Sequence, residues 1–135
     1  MVRTRMFAVV LAGFCAACSS NSALAGAGGW QSSKADLYRA RFVPDPEPPA
    51  TGQNALDITL EASDGKPVEG ATIAIEPWMP AHGHGSSAVP VVQGVGGGSY
   101  HATELVYTMP GQWELRVDVS AGAGDDQFAV PLDVQ

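Results

Sequence analysis

From Asn54 onward, apolar and polar residues alternate along the chain. Leu56, Ile58 and Leu60 are interleaved with Asp57, Thr59 and Glu61. A period of two puts one set on a buried face and the other in water, which marks a half-buried strand rather than a helix. Ser63-Asp64-Gly65-Lys66-Pro67 then reads as a turn, and Ala71, Ile73 and Ile75 alternate with Thr72, Ala74 and Glu76. A third apolar run, Val89 to Val95, passes through Gly96-Gly97-Gly98 into a strand from Ser99 to Tyr107. Met109-Pro110-Gly111 turns the chain again. Trp113, Leu115, Val117 and Val119 alternate with Gln112, Glu114, Arg116 and Asp118. After a turn over Ala121 to Asp126, Phe128, Val130, Leu132 and Val134 complete the pattern. Turn signals recur roughly every 10 residues and no segment carries a helical repeat. The pattern predicts an all-β fold over residues 53–135, an immunoglobulin-like antiparallel β-sandwich of about six to seven strands. Roughly 84 residues suffice for one small sandwich core.

The chain before this region has a different texture. Residues 18–52 read as a tether, opening with Ser, Asn, Ala and Gly and ending in Pro44-Asp45-Pro46-Glu47-Pro48-Pro49, a composition that favours a stiff extended rod. Between these ends, Lys34 to Val43 reads as a short helix or an extra strand, with Leu37, Tyr38 and Phe42 available to pack on the domain.

Residues 1–17 read as a lipoprotein-type signal peptide. Arg3 and Arg5 form a basic start, and Met6 to Phe14 is an apolar stretch too short to span a bilayer. Cys15-Ala16-Ala17-Cys18 follows, with serines after it. This layout predicts a lipid on Cys18 and anchoring at the periplasmic face of a bacterial membrane, the outer membrane where there is one. A rival site, Ala23-Leu24-Ala25, would release a soluble periplasmic or secreted protein instead. Both cysteines lie in the export segment, so the mature domain is expected without a disulfide.

The full chain has net charge −7. Loss of Arg3 and Arg5 leaves 5 basic against 14 acidic residues, a net −9. Phosphate binding needs basic clusters, so nucleic acid is not an expected partner.

Candidate chemistry concentrates in Trp78-Met79-Pro80-Ala81-His82-Gly83-His84-Gly85, which holds two of the three histidines. Gly and Pro make this stretch a loop. Imidazole and thioether donors together suit soft or borderline metals, Cu(I) above all. If consecutive strands run antiparallel, successive loops alternate between the two ends of the sandwich. The turns at 63–67, 95–98 and 121–126 then share one end, and the loop at 77–88 shares the other with the turn at 108–111. Met79, His82, His84 and Met109 thus form the predicted metal set, although Met109 lies 25 residues beyond His84. An extended backbone at His82 and His84, two apart, would put both rings on one side. Trp78 is placed to cap an ion by cation–π contact or to pack, and His101 belongs to the opposite end. The plainer alternatives are histidines that only line an exposed loop and methionines that plug the core.

Enzyme signatures are absent. There is no G-x-S-x-G elbow, no H-E-x-x-H and no phosphate loop, and the chain is not expected to be an enzyme.

The segment from Leu56 to Val119 resembles the YtkA-like (FixH-like) domain of exported bacterial proteins. The matching pieces are Gly65-Lys66-Pro67-Val68-Glu69-Gly70-Ala71, Met79-Pro80-Ala81-His82-Gly83-His84, Gly98-Ser99-Tyr100 and Gly111-Gln112-Trp113-Glu114-Leu115. The Met-Pro-x-His-Gly-His piece is the specific one. The resemblance implies a β-sandwich outside the cytoplasm, in the genetic company of copper transport or cytochrome oxidase assembly. It also implies metal binding at Met79, His82 and His84; Met109 comes from the strand argument alone. The FixH membrane helix has no counterpart here, which favours a tethered periplasmic module. Two functions compete. One is a copper-handling module that passes Cu(I) to a copper transporter or a copper-requiring apo-protein. The other is a metal-free interaction module that docks a partner on an apolar loop end built from Trp78, Met79, Pro80 and Met109.

Overall fold

The computed structural model describes residues 28–135. The signal peptide and Cys18 lie outside the described residues. The elements are β1 (Trp30–Ser32), β2 (Tyr38–Asp45), β3 (Gly52–Ala62), β4 (Thr72–Met79), β5 (His84–Gly85), β6 (Val91–Gly96), β7 (Ser99–Tyr107), β8 (Gly111–Ala121) and β9 (Gly124–Val134). They form a five-stranded sheet, β1-β2-β3-β7-β6, and a four-stranded sheet, β5-β4-β8-β9, with antiparallel pairing throughout. The chain is an all-β sandwich, with no helix among the described residues.

The alternation of the sequence is what closes the two sheets on each other. Leu56, Ile58 and Leu60 of β3 and Tyr100, Ala102, Leu105 and Tyr107 of β7 point into the core. Trp113, Leu115, Val117 and Val119 of β8 and Phe128, Val130, Leu132 and Val134 of β9 meet them from the other sheet. Two edge-to-face ring pairs bridge the layers, Phe42 with Phe128 at 5.4 Å between centroids and Tyr107 with Trp113 at 5.3 Å. Such pairs add about 0.5–1.5 kcal/mol each beyond the area they bury.

The fold corrects the expected extent of the tether, residues 18–52. From Trp30 onward this stretch is part of the sandwich. Tyr38, Ala40 and Phe42 are buried and alternate with the exposed Arg39 and Arg41, the same period-two pattern as in the later strands. β2 pairs with β3 from Tyr38↔Ala62 to Asp45↔Ala55, so Lys34 to Val43 supplies a strand and not a helix. The proline-rich segment is no free rod. It makes the β2–β3 connection and holds the end of the chain: the Gln135 amide donates to the Pro49 carbonyl, and the Thr51 amide donates to the Gln135 carbonyl, both at 2.9 Å. These additions, with the short β1 and β5, raise the strand number among the described residues to nine. The apolar run Val89 to Val95 also differs from expectation. It forms an edge strand whose valines are largely exposed. Among the described residues, the strands from Trp30 to Val134 close on one shared core, which is what a segment needs to fold by itself.

The loop between β1 and β2 is fastened to the opposite sheet by one carboxylate. Asp126 accepts the Ala35 amide (3.0 Å), the Leu37 amide (3.2 Å) and its neighbour Gln127's amide (2.8 Å). Burial opposes its ionisation, but the nearby Ser33 hydroxyl and these amides outweigh that, and its pKa lies below the usual 3.8. A carboxyl with a lowered folded pKa stabilises the fold above its unfolded value, and that stability is lost as pH falls through the folded value. Asp126→Ala should therefore lower stability by about 2 kcal/mol at neutral pH, the loss associated with hydrogen bonds to a charged group. The gap between the two proteins in urea denaturation should narrow as pH falls from about 5 to about 2.

Candidate metal centre

β4 delivers its last residue, Met79, to one end of the sandwich, and a tight turn follows. The amides of His82 (3.1 Å) and Gly83 (3.0 Å) both donate to the Met79 carbonyl. Gly83 sits at φ +66°, in the left-handed region that a residue without Cβ enters cheaply. The chain reverses and β5 pairs back on β4, with Met79 opposite His84 and Trp78 opposite Gly85. A Cβ on Gly85 would lie 2.6 Å from the Pro77 carbonyl oxygen, so the close return of the hairpin depends on this glycine.

The turn brings the two imidazoles together, with ring centroids 5.6 Å apart. The i, i+2 spacing achieves this through the left-handed Gly83 rather than through the extended backbone inferred from sequence. Both rings are exposed. Met79 lies beneath the hairpin and is 4% exposed, its methyl placed so that a Cβ on Gly111 would be 3.0 Å from it. Met109, two residues before Gly111, is half-buried against the core. The loop at 77–88 and the turn at 108–111 do share one end. The three turns expected at the other end also come together: Gly98 packs on Pro67 and Leu60, and the Gly124 carbonyl accepts the Tyr38 hydroxyl beside Ala62.

The aromatic residue of this end is Trp113, 2% exposed. Its indole N–H donates to the Met109 carbonyl at 3.0 Å, and its ring meets that of His84 edge-on at 6.5 Å. Trp78, considered from sequence as an ion cap, faces the other way. It lies on the outer surface of the four-stranded sheet under the Arg116 guanidinium, 4.3 Å from the ring centroid. Strand parity explains the exchange: Ile75, Pro77 and Met79 point inward, so Trp78 points outward. Gly111 and Trp113 are the contributors that sequence reasoning passed over, as a turn residue and as one more apolar position of an alternating strand. His101 stands apart on the five-stranded sheet, its Nδ1 2.7 Å from Asp57.

Among the described residues, no three His, Cys, Asp or Glu side chains converge on a metal-sized space. The metal donors among the residues at this end are two imidazoles and two thioethers. That mixed set favours a soft monovalent ion over a hard divalent one.

Comparison with known proteins adds the family. A search of curated proteins finds no match. Among solved structures, the fold is similar to the crystal structure of a DUF4426 family protein from Pseudomonas aeruginosa PAO1. The TM-score is 0.56 at 14% identity, covering 77% of this chain and 94% of that one. At that identity the likeness speaks for the fold alone. The family model described as YtkA-like matches residues 32–118, and this match takes in β2, the metal-candidate hairpin and most of β8. With well over half of its length matched, the chain belongs to the YtkA-like family.

Proposed function

We propose that this YtkA-like sandwich is an exported, lipid-anchored module that binds Cu(I) at its loop end and passes it on. The cargo is held by His82 and His84 with thioether help from Met79 and Met109. The receiver is a copper transporter or a copper-requiring apo-protein. The role is binding and delivery, not catalysis. The lipid on Cys18 would fix the protein to the periplasmic face of a membrane. The tether between lipid and sandwich is then short, because folded structure is under way by Trp30.

The observation that carries this reading is the register pair Met79↔His84, closed by a turn that sets His82 beside it. With a buried thioether at the base and two exposed imidazoles at the rim, an ion held here would be open to an incoming ligand on its solvent side. Thioethers also keep their donor ability where a thiol would oxidise readily. Burial counts against the apolar-docking alternative at this end. Met79 is inside, and Trp78 is covered by Arg116.

Titration of residues 28–135 with Cu(I) against a competing chelator should give one equivalent bound. His82→Ala with His84→Ala should weaken binding at least tenfold, about 1.4 kcal/mol or more, and leave stability nearly unchanged because both rings are exposed. Full-strength binding by the double variant would refute the assignment.

Gly111 gives a second test. Gly111→Ala adds a methyl against the Met79 methyl at φ +125°. It should cost about 1–2 kcal/mol of stability and weaken Cu(I) binding as well. Gly96→Ala, at φ +97° with open space around it, should cost similar stability and leave Cu(I) affinity unchanged.

A further inference from the structure

The chain is held on the five-stranded sheet from Gly28, whose amide donates to the Phe42 carbonyl at 2.9 Å. Gly28 lies ten residues beyond Cys18, a span of at most about 36 Å. That is about the length of one of the 11-residue strands. Trp30 follows at once, on the outermost strand of the sheet. It is 44% exposed and is the one aromatic among the exposed large apolar side chains of the described residues.

Basic side chains stand beside it. Trp30 is directly opposite Arg41 of β2, so the two share the outer face of the sheet. The Arg39 guanidinium, two residues along the same strand, lies 4.9 Å from the centre of the indole. Arg39 is paired with Glu61, Lys66 with Asp64, and Arg116 with Glu76 and Glu114. Arg41 forms no ion pair among the described residues. The row that crosses the sheet through Trp30, Arg41, Thr59 and Ser99 holds no carboxylate. Asp57, one row on, is paired with His101.

The place of this patch in the chain says what covers it. A lipid on Cys18 keeps the sandwich within the reach of ten residues of the bilayer, at an effective concentration on the order of millimolar. An indole rests well at the level of lipid headgroups. A guanidinium binds phosphate through two parallel hydrogen bonds. The outer face of the other sheet carries Glu76, Glu114 and Asp118, which anionic headgroups repel. We propose that Trp30, Arg39 and Arg41 lie against the phospholipid headgroups of the membrane that holds the Cys18 lipid. The strands then run along the bilayer, and the end with His82 and His84 looks sideways at membrane level. The inference rests on the lipid anchor proposed above.

Residues 18–135 contain one cysteine, Cys18, which can be coupled to a maleimide lipid in vesicles of phosphatidylethanolamine and phosphatidylglycerol. Lipids brominated on their acyl chains quench a tryptophan that touches them. The expected result is quenching of the tethered protein that Trp30→Phe abolishes. Arg41→Glu, which keeps Trp30 as reporter, should reduce it roughly threefold or more. Val95→Glu, on β6 at the far margin of the same sheet, should leave it unchanged. Circular dichroism checks that these exposed changes leave the fold intact. Emission indifferent to bromination, quenching that survives Trp30→Phe, or quenching equally sensitive to Arg41→Glu and Val95→Glu would each overturn the proposal. The coupling supplies the anchor chemically, so the vesicle result does not depend on acylation in cells. The mass of the protein extracted from membranes reads that separately. An unacylated Cys18 would overturn the anchor, and this proposal with it, whatever the vesicles show.

Discussion

The indole of Trp113 sits where two sheets and two loops converge, and the loop end of this protein depends on it. Its face and edges are taken up by Tyr107 from the opposite sheet and by His84 from the hairpin, while its N–H holds the Met109 carbonyl. A large ring with one polar atom can bury fully only if that atom finds a partner. Here the partner belongs to the turn before β8, so burying the indole also fixes the residue that carries a candidate thioether. The packing of the core and the shape of the candidate metal site are one problem with one solution. Rearranging the loop without disturbing the ring pair between the sheets would be difficult in an interior packed at crystal-like density.

Much of this was legible in the chain, and what was missed has physical reasons. The strands β3, β4, β7, β8 and β9 announce themselves by alternation, because one face of each meets the core and the other meets water. The antiparallel order then sorted the loops correctly into two ends, and so placed Met109 at the same end as Met79 across a long stretch of sequence. β2 was obscured by its neighbours. Tyr38, Ala40 and Phe42 alternate as well as any later strand, but they lie between a Gly- and Ser-rich segment and a Pro-rich one, and composition drew attention away from period. β6 misled for the opposite reason. A continuous apolar run resembles a strand buried on both sides, and sequence alone does not say which strand lies at an edge. The tryptophans show the value of parity: counting outward from Ile75 already sends Trp78 to the surface and leaves Trp113 in phase with Leu115.

The sandwich divides its surface unevenly. Its charged side chains gather on the outer faces of the sheets, where Arg116 reaches both Glu76 and Glu114, and His101 pairs with Asp57. The stretch from the hairpin to β7 is left uncharged. A neutral loop end on an acidic body is compatible with the proposed handling of a monovalent ion: the body's field would draw cations near, and the site would select by donor softness rather than by charge.

The most direct test of the account is whether thioether sulfur takes part in binding Cu(I). Residues 28–135 contain two methionines, Met79 and Met109. A protein labelled with 13C at the methionine methyls therefore gives two signals, which Met109→Leu would assign. The account predicts that both signals shift as one equivalent of Cu(I) is added, and move no further beyond it. Copper that binds while both methyl signals stay in place would contradict it.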